Sequence, residues 1–197
     1  WETVTTGNAG MDLEMLAGKL QLSTDVYSRR TTDMYTIGMT LPATFGATSP
    51  RGNYADMKTN GWEASLAWQS RFDLASRPFG YNLRVTLADH TSEILKYNNP
   101  DKFLSDYYAG QQVGEIWGYV TEGFFTSAED IAQHASQSLF RAHASGRWQA
   151  GDIKLKDLNG DKNITPGRNT ADDPGDRVII GNTTPRYRYG INVGADY

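Results

Sequence analysis

The stretch Asp157-Leu158-Asn159-Gly160-Asp161 puts three oxygen-bearing side chains on alternate positions of a short loop. Acid or amide oxygens at the first, third and fifth positions of a tight turn converge on one point, which is how a calcium loop begins. Gly160 lets the backbone bend between them. The continuation departs from a full calcium loop, because Lys162 stands where the glycine belongs and Arg168 where the bidentate glutamate belongs. Three further acids follow, Asp172, Asp173 and Asp176. Pro174-Gly175 turns the chain just before Asp176 and makes it the expected closing ligand, with Asp172 and Asp173 as alternatives. The pattern predicts a weak hard-cation site, calcium rather than magnesium, at Asp157, Asn159, Asp161 and Asp176. The competing reading is a solvated run of Asx turns with no ion.

Other chemistry is sparse. His90, His134 and His143 are not at metal-ligand spacing and are expected to be solvated. There is no cysteine. No nucleophile elbow or phosphate loop occurs, so no catalytic set emerges and the chain reads as a non-enzyme. Glu115 and Glu122 flank Ile116-Trp117-Gly118-Tyr119. Trp117 and Tyr119 are candidates for a carbohydrate-contacting platform, and the plainer role for both rings is to pack their loop down. Glycosidase carboxylates are usually far apart in sequence, so the pairing of Glu115 with Glu122 carries little weight.

The elements that would position these residues are strands. Apolar and polar residues alternate along Met11 to Met15, Leu20 to Val26, Trp62 to Trp68, Tyr81 to Leu87 and Tyr187 to Tyr197, and a period of two is the mark of a strand. Met11, Leu13, Met15, Leu22, Val26, Leu66, Val85, Leu87, Ile191 and Val193 fall on one face. Asp12, Glu14, Asp25, Glu63 and Arg84 fall on the other. The expected strands are about 1–6, 8–16, 19–30, 61–72, 81–92 and 187–197, with long connections at 31–60 and 93–186. Strands of this length suit a tilted crossing of a bilayer. Trp1, Tyr27, Trp62, Trp68, Tyr81, Tyr187 and Tyr197 sit near strand ends, as girdle aromatics do. Ala17-Gly18 and the turn 73–80 make short connections at one end, opposite the long ones. That asymmetry favours an outer-membrane barrel over a soluble sheet. Asn60-Gly61 reads as a turn, and Ser127 as the cap of one exposed helix over Ala128–His143, accepting from the Asp130 amide.

Composition sets outer limits. The 197 residues are 39% hydrophobic with a net charge of -4, and no basic patch suggests a nucleic-acid partner. The mean hydropathy of -0.56 reveals no apolar helix, but barrel strands escape hydropathy because alternate residues are polar. Trp1 opens within a strand pattern and Tyr197 closes on one, so the chain is expected to be a piece of a larger barrel protein. Six strands are too few to close a barrel around a polar lumen.

Four strings then carry a family resemblance: Asn53-Tyr54-Ala55-Asp56-Met57-Lys58-Thr59-Asn60-Gly61-Trp62-Glu63, Gly114-Glu115-Ile116-Trp117-Gly118-Tyr119-Val120-Thr121-Glu122-Gly123-Phe124-Phe125, Gly151-Asp152-Ile153-Lys154-Leu155-Lys156-Asp157-Leu158-Asn159-Gly160-Asp161, and Ile179-Ile180-Gly181-Asn182-Thr183-Thr184-Pro185-Arg186-Tyr187. In order and spacing they resemble the C-terminal part of SusC/RagA-type TonB-dependent outer-membrane transporters. The resemblance implies an all-β fold: antiparallel strands of a 22-stranded transmembrane barrel around a plug, with long extracellular loops carrying one short helix. It implies a SusD-like surface lipoprotein and the TonB complex as partners, outer-membrane lipid around the barrel, and uptake of oligosaccharides or peptides. Family members often carry glycine where Lys162 stands, which counts against a metal at this loop. The alternative from a different class is a soluble β-rich carbohydrate-binding module.

Overall fold

A computed structural model of the chain describes residues 1–38, 41–140 and 147–197. The chain divides into two units, Trp1–Asn98 with Thr184–Tyr197, and Asn99–Thr183. Nine strands are numbered among the described residues. The first unit holds β1 (Thr3–Met15), β2 (Leu20–Ile37), β3 (Arg51–Leu74), β4 (Arg77–Lys96) and β9 (Arg188–Asp196). The second holds β5 (Glu115–Tyr119), β6 (Thr121–Phe124), β7 (Ile153–Leu155) and β8 (Arg177–Asn182).

The first unit is one antiparallel sheet in the order β1-β2-β3-β4-β9. Its five strands do not close on themselves. Cross-strand partners share a face, so the register tests the alternation directly. Leu13, Leu22, Leu66, Val85 and Ile191 lie in one row. Met15, Leu20, Trp68, Leu83 and Val193 form the next, and Met11, Thr24, Ala64, Leu87 and Tyr189 the one beyond. Between them, rows such as Glu14, Gln21, Ala67, Arg84 and Asn192, or Gly10, Asp25, Glu63, Ala88 and Arg188, face the other way. One face is therefore apolar and the other polar. The apolar face is also bare: Ile191 is 64% exposed and Val193 78%.

The strands differ from the expected ones in instructive ways. β1 is a single strand through Gly7, where a break between 1–6 and 8–16 was expected. β2 runs on to Ile37 and β3 starts at Arg51, so the expected connection 31–60 shrinks to 38–50, with a 3-10 turn at Ala43–Phe45. The cause is a bulge after Thr31 that shifts the register and breaks the period of two. Asp33 takes the left-handed conformation there (φ 57°). The Asp56 carboxylate accepts its N–H at 2.9 Å, and the Asn53 amide donates to its carbonyl at 2.5 Å.

Asn60-Gly61 is not a turn but lies inside β3. Gly61 is needed there because the Tyr27 ring lies across it, and an added Cβ would sit 2.4 Å from that ring. This also moves Tyr27 off the expected girdle, onto the polar face. The turn expected over 73–80 is only Ala75-Ser76, both with positive φ (51° and 63°), closing a hairpin at the Leu74–Arg77 pair. At that end Phe72, Phe79, Tyr81 and Tyr197 cluster on the apolar face, with ring centroids 5.3 to 6.5 Å apart. The Trp68 indole donates to the Tyr81 hydroxyl at 3.1 Å.

The second unit contains two small ribbons, β5–β8 and β6–β7, around a minor core of Tyr108, Phe125 and Ile164. Helix α1 spans Ala128–Gln133, with Ser127 Oγ accepting the Asp130 N–H at 3.2 Å as its cap. The helix was expected to run to His143. It stops because Ser136 is drawn into a bridge with Asn163, through bonds from Ser136 N to Lys162 O and from Ile164 N to Ser136 O, both 2.8 Å. Ala142 and His143 lie outside the described residues.

Among the described residues no helix is long and apolar enough to cross a membrane, a test that does not bear on strands.

Candidate functional site

The acidic loop folds around its own amides. Asp157 accepts from the N–H groups of Gly160 at 2.7 Å and Lys162 at 2.9 Å. Asn159 accepts from Asp161 N at 3.0 Å, and Asp161 from Asn163 N at 2.7 Å. Burial works against the charged form of Asp157, but the amides of Gly160 and Lys162 outweigh it. Its carboxyl is held below the usual range.

Asp176 does return to this loop after Pro174-Gly175, as expected, but it arrives as a fully buried side chain at 0% exposure. Its two oxygens accept from Leu158 N and Thr165 N, both at 2.8 Å. Gly175 permits the return, since a Cβ there would meet the Thr165 carbonyl at 2.2 Å and its φ is +62°.

Asp157, Asn159, Asp161 and Asp176 are thus brought into one loop, where each accepts from backbone amides. Among the described residues no group of three His, Cys, Asp or Glu side chains is arranged to hold a metal. Titration of calcium into the intact protein to millimolar concentration is expected to give no saturable heat. A signal abolished by Asp157→Ala and Asp161→Ala would restore the cation reading.

Trp117 and Tyr119 pack inward rather than forming an open platform. The Trp117 indole donates to Glu115 Oε2 at 3.3 Å, and that oxygen also accepts the Tyr108 hydroxyl at 2.8 Å. Burial, reinforced by Glu115, pushes Tyr108 up to about 12, so it remains a donor at any physiological pH. Glu115 further accepts Gln112 N at 2.8 Å, which leaves it structural. Tyr119 meets the Phe140 ring edge-on at 4.8 Å between centroids. Gly118 between them gives room to Ile180, whose Cδ1 would lie 2.4 Å from an added Cβ.

A polar cleft in the same unit has no counterpart in the sequence pattern. Glu122, Asp130, Gln133, His134, Lys154 and Lys162 line it, with a volume of about 420 Å³. His134 was expected to be solvated, yet its side chain is 5% exposed. Its Nδ1 lies 2.7 Å from the Ala135 carbonyl, its Nε2 is 3.6 Å from Glu122, and its ring is edge-on to Phe125. Asp130 binds Lys154 at 2.7 Å and accepts from Thr126 N, and this pairing, led by Lys154, lowers its carboxyl below the usual range. The short helix α1, capped at Ser127, is what aims Asp130 and His134 into this cleft.

The fourth motif closes at Arg186, whose guanidinium forks onto Asp89 of β4 at 2.7 and 2.5 Å and lies over the Tyr187 ring at 5.5 Å. Asp89 is the cross-strand partner of Trp62. Sequence reading missed this pair because the partners are 97 residues apart.

No family model matches the chain. It is 26% identical over 226 residues to TonB-dependent receptor P39 of Formosa agariphila, covering all of this chain and 21% of that protein. It is 25% identical over 205 residues to TonB-dependent receptor P3 of the same organism, covering 98% of this chain and 19% of that protein. The chain therefore spans about a fifth of the length of these relatives. Among solved structures, the RagAB peptide transporter superposes with a TM-score of 0.65 at 17% identity, over all of this chain and 20% of that one. The RagAB peptide importer in its 'closed-closed' state gives 0.64 at 16% identity, with the same coverage.

Proposed function

We infer that this chain is a barrel segment of a SusC/RagA-type TonB-dependent outer-membrane transporter, and that the protein it belongs to imports nutrients. The observation that carries this reading is the bare apolar face of the sheet, one residue out of phase with the polar face across all five strands. A soluble sheet of this size would cover such a surface. The face fits a bilayer. Trp62 and Phe72 share it, about 33 Å apart along β3 at ~3.3 Å per residue. At a tilt near 40° this distance spans about 25 Å, the height of a barrel's apolar band. The hairpins at Leu16–Lys19 and Ala75-Ser76 then lie on the periplasmic side, and the long connections face outside.

The polar face, with Asp12, Glu14, Asp25, Glu63 and Arg84, lines the lumen of a barrel of the 22-stranded type. Such a lumen is wide enough for solutes beyond the reach of small porins, and needs a plug to close it. The substrates proposed are oligosaccharides or peptides. A SusD-like lipoprotein is the proposed partner outside, and the TonB complex the proposed source of energy, since the outer membrane holds no ATP. The unit Asn99–Thr183 is read as an extracellular structure whose inner hydrogen bonds keep it folded in water.

The test uses the intact protein. Deleting it is expected to abolish growth on one class of polymer, glycan or peptide, and extraction should require detergent. A monodisperse, cooperatively melting species obtained without detergent would favour the soluble carbohydrate-binding module instead.

A further inference from the structure

The apolar face ends abruptly at the row of Ala9, Val26, Trp62 and Asp89. The next outward row is polar: Gly7, Ser28, Asn60 and Thr91, with the Ser28 hydroxyl donating to the Asn60 side chain at 2.8 Å. The row beyond that is Thr5, Arg30, Lys58 and Glu93. It lies about 13 Å along the strands from the Trp62 row at ~3.3 Å per residue.

Arg30 and Lys58 are therefore directly opposite each other on the bilayer side of the sheet, just above its apolar band. Like charges at directly opposed positions repel. Glu93, across from Lys58 on the other side, offsets part of this. Asp56 and Lys96 pair with each other one step farther along, and the Asp56 carboxylate is already engaged by Asp33 N. Asp89 is closed off by Arg186. Among the described residues neither Arg30 nor Lys58 has an ion-pair partner within 4.0 Å. Arg30 is exposed, and Thr5 on its other side brings no charge.

We propose that Arg30 and Lys58 form a binding site for a phosphate-bearing lipid headgroup of the outer leaflet. The anion sits between the two cations and relieves their repulsion. Arginine offers a planar fork to phosphate and lysine a point charge. Both side chains are long enough to reach down toward the headgroups from above the aromatic level. Below them, Ser28, Asn60 and Thr91 offer hydroxyl and amide groups to the sugar or glycerol portion of the same lipid. Such a site anchors the barrel's height and rotation against a particular lipid.

This inference rests on the membrane reading above, and its test separates the two. The intact protein is extracted in mild detergent, and retained lipid is measured by native mass spectrometry. Arg30→Gln with Lys58→Gln is expected to lower retention of phosphate-bearing lipid about thirtyfold, from two lost surface charges. Arg30→Lys with Lys58→Arg should keep it. Dephosphorylated lipid should bind the unaltered protein no better than it binds the double glutamine variant. Inorganic phosphate at millimolar concentration should compete only weakly, whereas full displacement by it would identify a free-phosphate site. The variants must keep the gel-mobility shift of a folded barrel, which shows the membrane reading intact. Equal retention of phosphate-bearing lipid by a folded double glutamine variant would overturn the site and leave the barrel untouched.

Discussion

Arginine at Val85 is expected to destabilise the folded protein in detergent or bilayer by about 2–4 kcal/mol, while arginine at Thr86 should change it by less than about 1 kcal/mol. The two positions are neighbours in β4 and equally good strand sites. What separates them is the face. Val85 shares a row with Leu66 and Ile191, near the middle of the apolar band, and Thr86 a row with Ser65 and Gly190. A charge near the middle of the apolar band loses its hydration, whereas one facing a wet lumen keeps it. Thr86 also has room beside it, because Gly190 presents no side chain. Equilibrium unfolding of both variants of the intact protein, side by side, reads the difference directly. Equal destabilisation at the two sites would leave the membrane assignment without its main support.

Alanine at Asp176 is expected to loosen the second unit by roughly 2–6 kcal/mol, since each of the two amides left without a partner costs about 1–3 kcal/mol. Both oxygens of this carboxylate are committed, to Leu158 N and Thr165 N, and the residue has no exposure through which water could replace it. Asp176→Asn keeps one acceptor oxygen and should cost about half as much. The effect is local, so global unfolding is the wrong readout. Hydrogen exchange at Leu158 and Thr165 in the intact protein should accelerate by about a hundredfold in the alanine variant and less in the asparagine one. Unchanged exchange at both amides would mean that Asp176 does not hold the loop.

The apolar and polar faces of the sheet were legible in the sequence because a half-wetted strand obeys one simple rule, and the register reproduces it residue by residue. Strand ends were not legible. The alternation is interrupted where Asp33 adopts a left-handed conformation, and only the distant side chains of Asn53 and Asp56 make that interruption part of a continuous strand. Likewise Gly61 looks like a turn until Tyr27, two strands' worth of sequence away, is seen lying on it.

The four motif strings proved informative for a physical reason. Each contains residues that hold a bulge, a ribbon or a loop closed: Asn53 and Asp56, Glu115 and Gly118, Asp157, and Arg186. The acidic loop shows the limit of spacing arguments. Oxygen donors at alternate positions were read as ligands, and a sequence does not reveal which backbone amides they will also accept from. The cleft around His134 was hidden for a related reason. Its walls come from α1, β6, β7 and the loop after Asp157, and none of these alone has a notable pattern.

The length of β3 has one more consequence. From Trp62 back to Arg51 the strand continues for about 36 Å beyond the upper edge of the apolar band at ~3.3 Å per residue, paired with β2 to its start and with β4 as far as Asp56. The chain thus leaves the sheet at Ile37 and Arg51 from the top of a paired parapet, and at Lys96 five residues lower, beside Asp56. A paired strand bends far less than a tether of equal length, so thermal wandering at these exits is small. In the proposed membrane orientation this rim stands above the lipid headgroups as a landmark for an antibody or a phage tail fibre approaching from the medium, and short insertions at 38–50 are the natural place to display a tag on living cells.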